Sequence, residues 1–340
     1  MSALNSLPDL LRPYVGNTLD PLLNPLIAHL NSSPLTKNAL LAFLALSVVR
    51  TLSRTLSSQV VNNWTSQRPW DNKKELVLVS GGCSGIGKQI MLDLAAKGIR
   101  VVILDVNEPD FKLPSNVSFY TADVTSTANL KQVGDAIRAA HGDPTVLINN
   151  AGVGYDGPIL TEPEERIQRT FQVNTVSHFW MVREFLPAMI AANHGHVITI
   201  ASMASFIGLG EMTDYCCSKA SALAFHEGLT QEIRTWYKAK KVRTSIVHPL
   251  WVKTPMIQQL TDAKSNKFKM PVMTVQVVSD AVVKQVLGQR SGQVIIPAMH
   301  SGLSLLRAAP TWLQEFARGI GSKQLKAVVD AEMALKKSME

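Results

Sequence analysis

The 340-residue sequence predicts a doubly wound α/β fold, one parallel sheet of about seven strands with helices on both faces. Three observations carry that expectation. A continuous apolar run at 76–80, Leu-Val-Leu-Val-Ser, ends in a glycine-rich turn that opens into a helical pattern at 86–97. Runs of this kind, apolar without alternation, are buried on both faces, as parallel strands are. From residue 75 onward such runs alternate with helical patterns, which builds right-handed βαβ units. A second run at 101–104 ends in Asp105, roughly the ~20 residues beyond the glycines at which an acid meets an adenosine ribose.

The elements follow in order. Pro8, Pro13, Pro21, Pro25 and Pro34 interrupt any long helix near the N-terminus, and that segment lacks the pattern of a signal peptide. An apolar run at 38–49 stands between Lys37 and the pair Arg50 and Arg54. It falls short of the ~18–20 residues of a membrane span. Widened to 35–56, with the basic side chains snorkelling, it reaches that length. A membrane-associating segment and a docking helix both fit. Residues 57–74 are polar and read as a linker. Strands are expected at 76–80, 101–104, 117–120, 146–149, 196–200, 243–247 and 293–296. Helices are expected at 86–97, 127–140, 164–192, 214–238 and 274–287. The expected organisation is an N-terminal extension (1–74), an α/β domain (75–297) and an amphipathic tail (298–340) with a helix at 311–318. The tail could pack on the domain, pair two copies or touch a membrane.

Composition narrows the function classes. The chain is 46% hydrophobic, ordinary for a globular protein, and carries a net charge of +8. Its largest basic excess, Arg234 to Lys269, reads as a solvated face, with an anionic membrane surface as the rival. No motif or basic–aromatic interleaving points to nucleic acid. Of the three cysteines, Cys216 and Cys217 are neighbours, so no disulfide framework is expected and a reducing compartment fits.

Chemistry-bearing residues cluster at strand ends. Gly81, Gly85 and Gly87 permit a tight turn and close approach of a pyrophosphate to a helix N-terminus. Asp123-Val124 follows the third strand, Asn149-Asn150-Ala151-Gly152 closes the fourth, and Ala201-Ser202 closes the fifth. Tyr215 then opens a helix, with Lys219 one turn on.

From Glu75 to about Pro297 the chain resembles the short-chain dehydrogenase/reductases. The matching pieces are Ser80-Gly81-Gly82-Cys83-Ser84-Gly85-Ile86-Gly87, Asn149-Asn150-Ala151-Gly152, Asn174, Ser202 and Tyr215-x-x-x-Lys219. The resemblance implies a Rossmann-type fold and hydride transfer between a nicotinamide and a carbinol carbon. It implies catalytic roles for Asn174, Ser202, Tyr215 and Lys219. Tyr215 would be the general acid/base, and Lys219 would lower its ordinary pKa of ~10. Ser202 would hold the substrate oxygen and Asn174 a relay water. It implies cofactor contacts from Ser80, Gly81, Ser84, Gly85, Ile86 and Gly87, then from Asp105, Asp123 and Val124. Asn150, Ala151, Gly152, Tyr215, Lys219, Pro249, Val252 and Thr254 complete the implied set. No metal is implied.

Two departures matter. Ser80 stands where the family usually has threonine, which keeps the hydroxyl. Leu250 follows Pro249 where a glycine is usual, which alters that turn. Asp105 would bond ribose hydroxyls and repel a 2′-phosphate, so NAD is favoured and NADP remains open. The apolar anchor, the 102–107 stretch and the tail resemble the lipid-droplet and endoplasmic-reticulum dehydrogenases of retinoids and hydroxysteroids. That branch implies a small lipophilic substrate, a membrane or lipid-droplet surface, a cytosol-facing domain and a homo-oligomer. Met203, Phe206, Ile207, Leu209 and Met212, with Trp251, Met256, Ile257, Leu260, Phe268, Met270, Val272 and Met273, would wall an apolar pocket. Two rivals stay open: a soluble NADPH-dependent ketoreductase of secondary metabolism, and a non-catalytic lipid-surface protein that keeps the dinucleotide fold.

Overall fold

The computed structural model describes residues 34–258 and 268–337. It divides the chain into two compact units, Met1–Val60 and Val61–Glu340. The described part of the first is a single helix, α1 (Pro34–Val61), with no buried residue and long and apolar enough to cross a membrane. It outruns both the expected 38–49 and the widened 35–56; Thr51 and Thr55 lie within it, their hydroxyls bonded to carbonyls one turn back.

The second unit is built on a seven-stranded parallel sheet in the order β3-β2-β1-β4-β5-β6-β9. The strands are β1 (Leu76–Ser80), β2 (Arg100–Asp105), β3 (Val117–Thr121), β4 (Val146–Asn149), β5 (Gly195–Ile200), β6 (Val242–Pro249) and β9 (Gly292–Ile296). Each lies within a residue or two of its expected bounds. The two-residue pair β7 (Trp251–Val252) and β8 (Val272–Met273) is additional, and nothing in so short a ladder marks it in sequence.

β1 shows why its run is unbroken. Val77 and Val79 face one helical layer, with Ile90, Met91 and Leu94 of α2 (Gly85–Ala96) and Val278 and Val282 of α7 (Val275–Gly288). Leu76 and Leu78 face the other, with Leu130 and Ile137 of α3 (Thr127–His141), Met181 and Phe185 of α5 (Ser177–Ala192) and Phe225 of α6 (Thr213–Gln231). Successive side chains on a strand point to opposite faces, and both faces are covered. Burying each large side chain contributes roughly 1.5–3 kcal/mol.

The expected helix 164–192 is divided. α4 (Glu164–Phe171) passes through a π turn, Gln172–Val176, into α5. A second π turn, Glu232–Trp236, ends the α6 region. The tail helix α8 (Thr311–Lys337) runs far beyond the expected 311–318, because Leu325 and Val328, both almost fully buried, pack with Ala204, Met212, Cys216 and Ile257.

Two expectations are corrected. The basic excess does not form one face. Lys238, Lys240 and Lys241 are exposed before β6, whereas Lys253 follows its far end. Arg243 is 2% exposed, and Lys264 and Lys267 lie outside the described residues. The stretch after α1 is also tied down. Arg243 donates to the carbonyls of Asn62 (2.6 Å) and Thr65 (2.7 Å). Asn62 Oδ1 accepts from Ser291 N at 2.8 Å, and Asn63 Nδ2 donates to Lys240 O at 3.0 Å. A buried guanidinium must find such acceptors, so these residues form part of the sheet's amino-terminal edge.

Candidate active site

Strand order reverses direction between β1 and β4, and the crevice outside that point is where doubly wound sheets bind ligands. A continuous cavity of about 650 Å³ opens there. One half is built from backbone. Gly81 (φ +66°) and Gly85 (φ +53°) take the left-handed conformation that suits glycine. A β-carbon on Gly87 would stand 2.1 Å from Gly81 O and 2.4 Å from Asn150 Nδ2. α2 therefore starts hard against the turn, and its N-cap Ser84 makes no side-chain cap, leaving the first N–H groups of the helix facing the cavity. Ser80 is buried and accepts from Asn150 N (3.0 Å) and Ala151 N (3.1 Å). Asn150 Nδ2 donates to Ser80 O at 2.9 Å and Gly81 O at 3.0 Å. These bonds lock the ends of β1 and β4 together.

Asp105 ends β2 at the cavity wall, its Oδ2 accepting from Cys83 N at 3.0 Å and its Oδ1 from Asn107 N at 3.1 Å. Asp123 accepts from Thr125 N at 2.9 Å and lies 3.4 Å from Arg169. Burial raises its pKa, but the Thr125 and Arg169 contacts prevail and hold it low. Gly81, Ser84, Gly85, Ile86, Val124, Asn150, Ala151 and Gly152 all line the cavity, as do Pro249, Val252 and Thr254. Ser80, Gly87 and Asn174 stand behind the wall rather than in it. This cradle fits a dinucleotide. Its glycines admit what a side chain would exclude, its helix N-terminus suits a pyrophosphate, and its acid lies where a ribose is expected.

The other half holds the polar trio. Ser202, Tyr215 and Lys219 share one wall. Ser202 Oγ accepts from Ala204 N at 3.1 Å and donates to Pro249 O at 3.5 Å. Lys219 Nζ donates to Ile200 O at 3.2 Å and lies 5.5 Å from the Tyr215 ring centre. Burial pushes the Lys219 ammonium down to about 8. Burial also pushes the Tyr215 phenol up to about 12, against a lowering by Ser202. In the protein alone burial dominates and the phenol holds its proton at neutral pH; the expected lowering belongs to Lys219 acting together with a bound, positively charged nicotinamide. Asn174, fully buried on the π turn, donates to Val153 O (2.8 Å) and Ser218 Oγ (3.0 Å) and accepts from Val153 N (2.8 Å). It braces the 150–154 loop beside Lys219.

The apolar wall is partly as expected. Met203, Phe206, Ile207, Leu209 and Met212 line the cavity, with Trp251, Met256, Ile257 and Met270. Phe268 instead packs edge-on against Trp251, Val272 and Met273 pair with β7, and Leu260 lies outside the described residues. Sequence reasoning missed two contributors. His248, on β6, reaches Ser202 O at 3.0 Å from Nδ1 and is held neutral, burial pushing it down to about 4. A histidine within an apolar strand was the available signal. The tail supplies Leu303, Ala317, Ile320 and Gly321, and its distance in sequence hid that.

Comparison with known proteins agrees with this geometry. Residues 75–265 match the short chain dehydrogenase family model. Dehydrogenase RED2 of Cochliobolus heterostrophus is 43% identical over 58% of this chain and 75% of its own. Mouse (Mus musculus) epidermal retinol dehydrogenase 2 is 35% identical over 63% of this chain and 72% of its own. Human (Homo sapiens) 17-beta-hydroxysteroid dehydrogenase 13 is 28% identical over 88% of this chain and its full length.

Proposed function

This chain belongs to the short-chain dehydrogenase family, and from that premise we propose that it interconverts a lipophilic alcohol, retinoid-, steroid- or lipid-like, with its carbonyl. The carrying observation is one cavity with a dinucleotide cradle on one side and Ser202, Tyr215 and Lys219 on the other, closed by apolar side chains. When bound, the nicotinamide supplies or accepts the hydride. Ser202 holds the substrate oxygen beside the Tyr215 phenol. In reduction the protonated phenol donates to that oxygen; in oxidation it takes the proton back. Lys219 sits beneath the phenol and offsets the charge as the proton leaves. Asn174 and His248 act by position, bracing the 150–154 loop and the Ser202 main chain.

Asp105 supports a preference for NAD over NADP, since its carboxylate repels a 2′-phosphate. The retinol and hydroxysteroid relatives support the lipophilic substrate. α1 supports residence at the endoplasmic reticulum membrane or a lipid droplet with the catalytic unit in the cytosol; Arg50 and Arg54 stay on the cytosolic side. Exposed Phe179, Trp236 and Tyr237 support self-association through the α5–α6 side.

The test is a panel of alcohols and carbonyls assayed with both cofactors on detergent-solubilised full-length protein. Turnover of bulky apolar alcohols, faster with NAD, is expected. Absence of turnover with every member sinks the enzyme reading, and a preference for NADPH sinks the reading of Asp105.

A further inference from the structure

The rim of the cavity carries an apolar surface that the catalytic reading leaves unused. Leu303 and Ile320 line the cavity and are also 36% and 49% exposed. On α8, Trp312, Phe316 and Ile320 recur every fourth residue and form one stripe. Trp312 and Phe316 are 71% and 62% exposed. The stripe is fixed to the cavity mouth. A β-carbon on Gly321 would meet Leu209 Cδ2 at 2.7 Å, and Gly210 N donates to Ser322 Oγ at 2.9 Å. The same mouth loop accepts from Gly157 N through Glu211 O at 2.9 Å. Just beyond Gly157 stand Ile159 and Leu160, 60% and 97% exposed. Exposed apolar side chains from three segments distant in sequence thus stand on elements tied to one opening.

We propose that this rim docks on a lipid surface, so that substrate enters the cavity from lipid rather than from water. The proposal rests on the lipophilic-substrate reading and adds where the substrate comes from. Two observations select lipid as the occupant. Leu303 and Ile320 make the exposed patch continuous with the apolar cavity, so whatever covers the patch has direct access to the site. A second copy seated there would seal the opening that substrate needs. The same chain also carries α1, long and apolar enough to enter a bilayer, and a lipid attachment gains from a second contact.

The experiment uses the full chain in phosphatidylcholine vesicles. Trp312→Ser with Phe316→Ser alters the rim and replaces no residue that lines the cavity. Specificity constants are measured for a long-chain secondary alcohol dissolved in the vesicles and for a short, water-soluble one. The vesicle-borne substrate should lose about tenfold, as expected for removing two large apolar contacts with lipid, and the soluble one should be unchanged within about twofold. A separate readout needs no turnover. A fluorophore at Phe316→Cys, in a Cys217→Ser background, should be quenched by nitroxide-bearing lipids. Quenching without turnover of either alcohol leaves the docking intact and removes the enzyme reading. Absent quenching, equal losses on both substrates, no loss on either, or a smaller particle for the double variant in detergent would each overturn the docking. The last of these would make the rim an interface between copies.

Discussion

The two halves of the cavity are made in different ways. The cofactor half is backbone: a strand, a turn of glycines and a helix start, all within the twelve residues from Leu76 to Gly87, locked by Asn150. The substrate half is side chain. It is gathered from Ser202, the segment after Pro249 and a tail helix more than a hundred residues from Ser202. Backbone geometry tolerates few residue types, so it leaves a readable pattern. An apolar wall tolerates many, so it leaves little trace and is free to change with the substrate.

Substitutions should separate the halves. The largest effect is expected from Gly87→Val in the cofactor half. A β-carbon there lies 2.1 Å from a backbone oxygen, so the turn must move and nucleotide binding should be lost, read by titration of cofactor fluorescence. Binding that survives would mean the turn is not the cradle. Next comes Asp105→Ser with Val106→Arg. It removes a carboxylate, adds a guanidinium and should move the NADP-to-NAD ratio of specificity constants by roughly tenfold or more. An unchanged ratio places the 2′ position elsewhere.

The polar trio joins the two halves, and its pH behaviour is specific. Lys219 is held near 8, so it is charged below that pH and neutral above it. Tyr215 keeps its proton to about 12. Carbonyl reduction should therefore decline above about pH 8, by about tenfold per unit for a single ionisation. Lys219→Arg should be slower but should lose that alkaline limb, because the guanidinium stays charged. A limb retained in the arginine variant assigns it to another group. The smallest effect is expected in the apolar wall. Ala317→Phe should lower specificity for the bulkiest alcohols by a few-fold (~1 kcal/mol) and leave small ones and NAD binding unchanged. Equal losses for all sizes would mean the tail does not face substrate.

What the sequence shows follows the same division. β1 and its neighbours were legible because strands buried on both faces must be apolar throughout. The polar trio was legible because its residue types and spacing match the family's motif, with two of them one helical turn apart. The π turn that presents Asn174 was not, since Gln172–Val176 lies inside a continuous helical stretch and no residue type marks the wider turn. Nor was the fastening of residues 62–65, which depends on Arg243 far away in sequence. Shortening the chain from its N-terminus shows the consequence. A start at Asn62 should keep activity and become salt-extractable. A start at Trp70 strips Arg243 of its Asn62 and Thr65 acceptors and should destabilise the domain, read as a lower melting temperature.

The central claim is that Tyr215 carries the proton in this cavity. Tyr215→Phe keeps the ring, the packing and the cradle and removes only the hydroxyl. Single-turnover rates of the detergent-solubilised full chain, with NAD and an alcohol the wild type oxidises, test it directly. The account predicts a fall of at least about 100-fold with cofactor binding intact. A Tyr215→Phe protein that turns over at near wild-type rate would contradict it.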